Sequence, residues 1–224
     1  MTTKLIAADA SAGTILDPSV GDGALVIQTG AAGAKVDALT LGTTGNGALL
    51  GTLTQAGIAT PRMVLATAQN ATGGTYIDFT GIPSWAKKIT VMFSAVSTNG
   101  TSPIQVQIGA GSVSNSGYVG TAGGVTNTGN VMGVTSFTTG FGVVHAFGAS
   151  DQLVSGILVL TLLNPVTGTW SAFGTVSQAP GSFTGISTSG GAKTLSGVLD
   201  RVRITTVNGT DTFDAGSVNI LYEG

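Results

Sequence analysis

Apolar residues at every second position, in short runs closed by glycine or asparagine turns, are what most restricts the fold of this 224-residue chain. A period of two belongs to strands with one buried face, whereas a helix needs apolar residues three and four apart. Ile89, Val91 and Phe93 share a face, and so do Val218, Ile220 and Tyr222. Ile104, Val106 and Ile108 point inward against outward Gln105 and Gln107, and Val202 and Ile204 alternate with Arg201 and Arg203. Residues 157–163 are nearly continuous in apolar character, the pattern of a strand covered on both faces. Asn46-Gly47, Asn99-Gly100, Gly123-Gly124, Asn164-Pro165, Gly190-Gly191 and Asn208-Gly209 supply turn signals between such runs. No segment joins helical spacing to helix caps. The expected fold class is all-β, with a C-terminal antiparallel β-sandwich of jelly-roll type.

Aromatic residues divide the chain. All 8 Phe, both Trp and all 3 Tyr lie beyond residue 62. Residues 1–62 hold only small aliphatics in short β-like pieces, too little to bury a core of their own. This segment is expected to intertwine with sister chains, with Leu25, Ile27, Leu39, Leu41, Leu49 and Leu50 as candidate interface residues. Residues 63–224 are the expected sandwich. Within it, residues 109–140 are rich in Gly, Ser, Asn and Thr and read as a long loop or an extended arm.

Charge is scarce, at 8% of residues against the usual ~25%. The formal net charge is −2, and a chain so poor in charge gains solubility by covering its surface with copies of itself or with partners. Eight scattered basic residues give no stripe for phosphates, so nucleic acid is not an expected partner. The opening residues lack an apolar signal core, and no apolar run is long enough to span a bilayer, so neither secretion nor membrane insertion is expected. With no cysteine, there are no disulfides and no thiolate metal sites.

Catalysis finds little support. The single histidine, His145, sits in a strand-like run, and no serine has a nucleophile-elbow setting, so His145 reads as structural. The acids fall mostly at turns, where Asp bonds the local backbone, and Asp211 with Asp214 reads the same way rather than as a calcium loop. No catalytic residue, metal or cofactor is expected. Carbohydrate binding stays open through an aromatic face beside polar groups. Trp170 and Tyr118, both in loop-like contexts, are the candidate ligand contacts, while Trp85 reads as a cap on the core.

Two stretches carry a resemblance. Residues 76–91, Tyr-Ile-Asp-Phe-Thr-Gly-Ile-Pro-Ser-Trp-Ala-Lys-Lys-Ile-Thr-Val, look like a segment found in tail-fibre and other virion structural proteins of tailed bacteriophages. Residues 199–205 and 214–224 do too, and residues 15–20 and 23–30 resemble the N-terminal parts of such proteins. The similarity covers about half of the chain and concerns strands and turns, not a catalytic motif. It implies a non-enzymatic, homotrimeric surface protein of the virion, assembled in the bacterial cytoplasm. Residues 1–62 would anchor it to other virion proteins, and the displayed sandwich would meet a host-surface glycan. A capsid decoration or head-fibre protein, and a lectin-like module, are the alternatives.

Overall fold

A computed structural model describes residues 62–127, 132–146, 150, 152–179 and 184–224, together with the strand residues 5–6, 15–17, 25–29, 36–41, 54–55 and 58–59. The chain divides into two compact units, Met1–Pro61 and Arg62–Gly224. In the first, β1 (Leu5–Ile6), β2 (Ile15–Asp17), β3 (Leu25–Thr29) and β4 (Val36–Leu41) pair in sequence order as an antiparallel sheet. There β5 (Thr54–Gln55) and β6 (Ile58–Ala59) form a separate antiparallel pair. Leu25 stands opposite Leu41 and Ile27 opposite Leu39 in the β3–β4 ladder. Leu49, Leu50 and the Asn46-Gly47 turn lie outside the described residues.

The second unit is a two-sheet antiparallel sandwich. Its strands are β7 (Met63–Leu65), β8 (Gln69–Asn70), β9 (Tyr76–Thr80), β10 (Lys88–Thr98), β11 (Ile104–Ala110), β12 (Ser112–Val113) and β13 (Val119–Thr126). They continue with β14 (Met132–Phe137), β15 (Phe141–Gly142), β16 (Val154–Asn164), β17 (Thr169–Gln178), β18 (Gly185–Thr194), β19 (Arg201–Thr206) and β20 (Phe213–Glu223). The small sheet runs β9-β19-β11, and β15 and β12 share the far edge of β11. The large sheet runs β14-β13-β18-β17-β16-β10-β20, and β7 and β8 border β20.

This is jelly-roll order with two main elaborations, an inserted hairpin and the strand β20 added beside β10. Take β9, β10, β11, β13, β14, β15, the β16–β18 meander and β19 as the eight successive strands of such a fold. The small sheet then reads first, eighth, third, sixth, and the large sheet reads second, seventh, fourth, fifth. The seventh position holds three strands joined by hairpins. Adding a hairpin there preserves direction, so β18 still pairs antiparallel with β13 as β16 does with β10.

The core lies between the sheets. Ile77, Phe79, Ile104, Val106, Val202 and Ile204 from the small sheet meet Ile89, Val91, Leu158, Leu160, Val218 and Ile220 from the large one. Three expectations are corrected. Residues 157–163 are covered on one face only: Leu158 and Leu160 are buried, but Ile157 and Leu163 are exposed. Residues 109–140 are not one long loop, because β12, β13 and β14 occupy half of that span. Gly123-Gly124 and Gly190-Gly191 sit inside β13 and β18 rather than at turns, since backbone ladder bonds need no apolar side chain. A further difference concerns the strand expected over residues 143–147, of which residue 147 lies outside the described residues. The strand β15 ends at Gly142, and residues 143–146 continue irregularly beneath β13 and β18, where the narrow sheet ends.

Candidate functional site

Neither aromatic residue expected to meet a ligand presents its ring to solvent. Trp170 is 3% exposed on β17, within the core cluster, and only lines the floor of a ≈290 Å³ cleft between the 165–168 and 195–199 loops. Tyr118 is 2% exposed, edge-on to Phe141 with ring centroids 5.0 Å apart. Its hydroxyl accepts from the Ile108 amide at 2.8 Å and lies 3.0 Å from the Ser114 carbonyl. Burial pushes its pKa up to about 12, against a lowering by the Ile108 backbone bond. Tyr118 thus pins the β11–β13 connection, a structural role that its Gly-rich sequence context concealed.

His145 is likewise structural in its placement. It is 5% exposed, with Nδ1 2.9 Å from Ser187 Oγ. That hydroxyl donates to Gln178 Oε1 at 3.0 Å, and the Gln178 amide donates to the Ala146 carbonyl at 2.9 Å. A Ser–His contact of this kind could suggest a nucleophile, but Ser187 is fully buried and its proton is committed to Gln178. The imidazole packs where Cβ atoms at Gly124 and Gly133 would stand, so only glycine lets the strands approach it. Burial holds its pKa below the ordinary histidine value.

Two outward surfaces have chemical character. The first is the outer face of the small sheet. The β9–β19–β11 register aligns Tyr76, Thr205 and Gln105 in one row and Asp78, Arg203 and Gln107 in the next. Arg203 Nε and Nη2 form a two-pronged bond with the Asp78 carboxylate at 2.7 and 2.6 Å, and the guanidinium stacks 3.9 Å from the Tyr76 ring centroid. Asp78 raises the Arg203 pKa above its already high value. Gln105 and Gln107 were expected in solvent but are buried, because the Thr139 segment before β15 folds over them. Gln107 Nε2 donates to the Thr139 carbonyl at 2.8 Å, and Thr139 Oγ1 donates to Gln105 Oε1 at 2.9 Å. Between these groups, Asn115 and the 206–209 turn lies a polar cleft of ≈340 Å³.

The second is the outer face of the large sheet. Ser, Thr and Gly side by side with Val134, Val125, Ile186, Phe173, Ile157 and Met92 cover it across six strands. Phe173 is 65% exposed and Val134 76%. Among the described residues its charges are confined to one corner, where Lys88 pairs with Glu223 at 2.7 Å. Among the described residues acids do not gather elsewhere: Asp211 accepts from the Ser102 amide and from Asn208 Nδ2, while Asp214 accepts from Ser97. Among the described residues, no three His, Asp or Glu side chains stand close enough to share a metal ion.

No protein-family model matches the chain, and neither curated proteins nor solved structures give a match. Function is therefore argued from these two surfaces. Sequence alternation marks Tyr76, Asp78, Arg203 and Thr205 as outward-facing, but their adjacency needs the non-local pairing of β9, β19 and β11.

Proposed function

We propose that this chain is a non-enzymatic structural protein of a tailed-bacteriophage virion, a homotrimeric, fibre-like surface component whose sandwich is displayed toward the host. The observation that carries this reading is the outer face of the large sheet, whose charges, among the described residues, are confined to the Lys88–Glu223 pair at one corner. Six strands spaced about 4.8 Å apart, each contributing about eight residues at ~3.3 Å, offer roughly 600 Å². That approaches the ~800 Å² per partner of a stable interface, before residues 1–62 add anything. A face whose described charges are already paired with each other is compatible with a second copy of itself, since association leaves no ion unpaired. The bacteriophage setting rests on the resemblance of residues 76–91 and 199–224, which fall on β9–β10 and β19–β20.

Light scattering on the full-length chain tests the assembly, alongside a chain beginning at Met63 and a Phe173→Asp/Ile157→Asp variant. We expect a trimer for the full chain, a weaker assembly for the shortened one, and monomers for the double aspartate variant with its β-sheet spectrum intact. A monomeric full-length chain would defeat the reading. The setting is tested directly by looking for peptides of this chain in purified particles of a phage that encodes it. Capsid decoration is the second reading, and the place where antibody labels such particles separates head from tail.

A further inference from the structure

The cleft on the outer face of the small sheet selects a class of ligand by its chemistry. A metal ion would need carboxylate oxygens, and the carboxylate beside the cleft, Asp78, is already held by Arg203 in a two-pronged bond. An anion would need an uncompensated positive charge, and the same pair neutralises Arg203. An apolar molecule would strip water from the amides and hydroxyls of the wall and return no hydrogen bonds. A neutral ligand rich in hydroxyl groups meets none of these objections.

The groups that would receive it are already in place. Tyr76 remains 52% exposed although Arg203 stacks on it, which leaves hydrocarbon surface at the cleft edge for the C–H face of a sugar ring. The Asp78 fork uses Arg203 Nε and Nη2, so Nη1 lies outside it as a donor. Gln107 gives one amide hydrogen to the Thr139 carbonyl, which fixes the side chain and leaves its Oε1 as an acceptor. Asn115, exposed on the opposite wall, carries both a donor and an acceptor. The Gln105–Thr139–Gln107 relay fixes these groups before any ligand arrives, which lowers the ordering cost of binding. At ≈340 Å³ the cleft falls at the small end of the ~300–1,000 Å³ range of small-molecule sites.

We propose that this cleft binds one neutral pyranose unit of a glycan, its C–H face against Tyr76 and its hydroxyls shared among Arg203, Gln107 and Asn115. The inference rests on the proposed host-facing role only for where the glycan comes from. The mass measurement decides assembly, and the titration below decides the cleft.

Saturation-transfer NMR on the full-length chain, with D-glucose, D-galactose and N-acetyl-D-glucosamine as separate probes and N-acetylneuraminic acid as the charged comparator, tests it. At least one neutral sugar should receive saturation through its ring C–H protons. Tyr76→Ala should weaken that binding by about tenfold. Asn115→Ala, on an exposed loop where folding is not at stake, should weaken it as well. Silence from all three neutral sugars would overturn the assignment, as would a response to the charged sugar alone. Undiminished binding by both variants, with melting curves like the parent, would place the sugar elsewhere and equally refute the cleft.

Discussion

At the scale of single residues, two positions show how local geometry is set against the fold. Ala95 is the one described non-glycine residue with positive φ, at 52°, and it forms a bulge in β10 where pairing with both β16 and β20 slips. Its amide is satisfied by Ser155 Oγ at 2.9 Å, so the bulge is built in rather than frayed. The left-handed region costs an alanine ~1–2 kcal/mol, more than the ~0.5–1 kcal/mol entropic cost of glycine. Ala95→Gly should therefore raise stability by ~0.5 kcal/mol in urea titration, and a loss would show that the methyl makes a packing contact that outweighs the strain. His145 sets a pH response. Its folded pKa lies below 6.5 because it is buried, whereas the unfolded chain regains the ordinary value. Between the two values the unfolded state holds the extra proton, so stability is complete above about pH 6.5 and falls as pH drops toward the lowered value. Calorimetric melting temperatures should decline from about pH 7 to about pH 5, and His145→Gln should show a flatter profile.

At the scale of elements, the β16–β18 meander explains both the width of the large sheet and its two unlike faces. Inward, Leu158, Leu160, Trp170, Ala172 and Val176 complete the core. Toward β13 and β14 only the short β15 of the small sheet lies opposite, and beyond it the apolar core gives way to His145, Ser187, Gln178 and Gln152, all buried. Leu160 is fully buried at the meander's β10 side, so Leu160→Ala should cost ~2–5 kcal/mol through lost transfer energy and the cavity left behind. Urea midpoints with an unchanged slope would register that cost, and a loss under ~1 kcal/mol would mean that the sheets collapse to refill the space.

At the scale of the whole molecule, the two outer sheet faces of the sandwich differ in chemistry. The large sheet turns outward a face of Ser, Thr, Gly and apolar residues whose described charges lie at one corner, and the small sheet turns outward a polar cleft bounded by a neutralised ion pair. These faces point away from one another across the same sandwich, so association through one leaves the other free to meet a ligand. The aspartate pair at Phe173 and Ile157 is accordingly expected to abolish assembly and to leave sugar binding by each monomer intact. Should the sugar response disappear together with the trimer, the cleft would have to depend on neighbouring copies.

The amino-acid sequence by itself determined that the protein is all-β, because period-two alternation and turn chemistry are local properties read within a few residues. It also marked Val202 and Ile204 as inward and Arg203 as outward. The tertiary structure alone decided which strands are neighbours, and with that nearly everything about the sites. Gln105 and Gln107 follow the outward half of the alternation, yet a segment more than thirty residues later covers them. Trp170 and Tyr118 stand in polar, glycine-rich surroundings along the chain, but their neighbours in space are core residues. Gly123 and Gly124 look like a turn until the β18 ladder holds them straight and His145 takes up the room that side chains would have needed. Alternation along a strand fixes which face a residue occupies; long-range pairing fixes what covers that face, and only the folded chain specifies it.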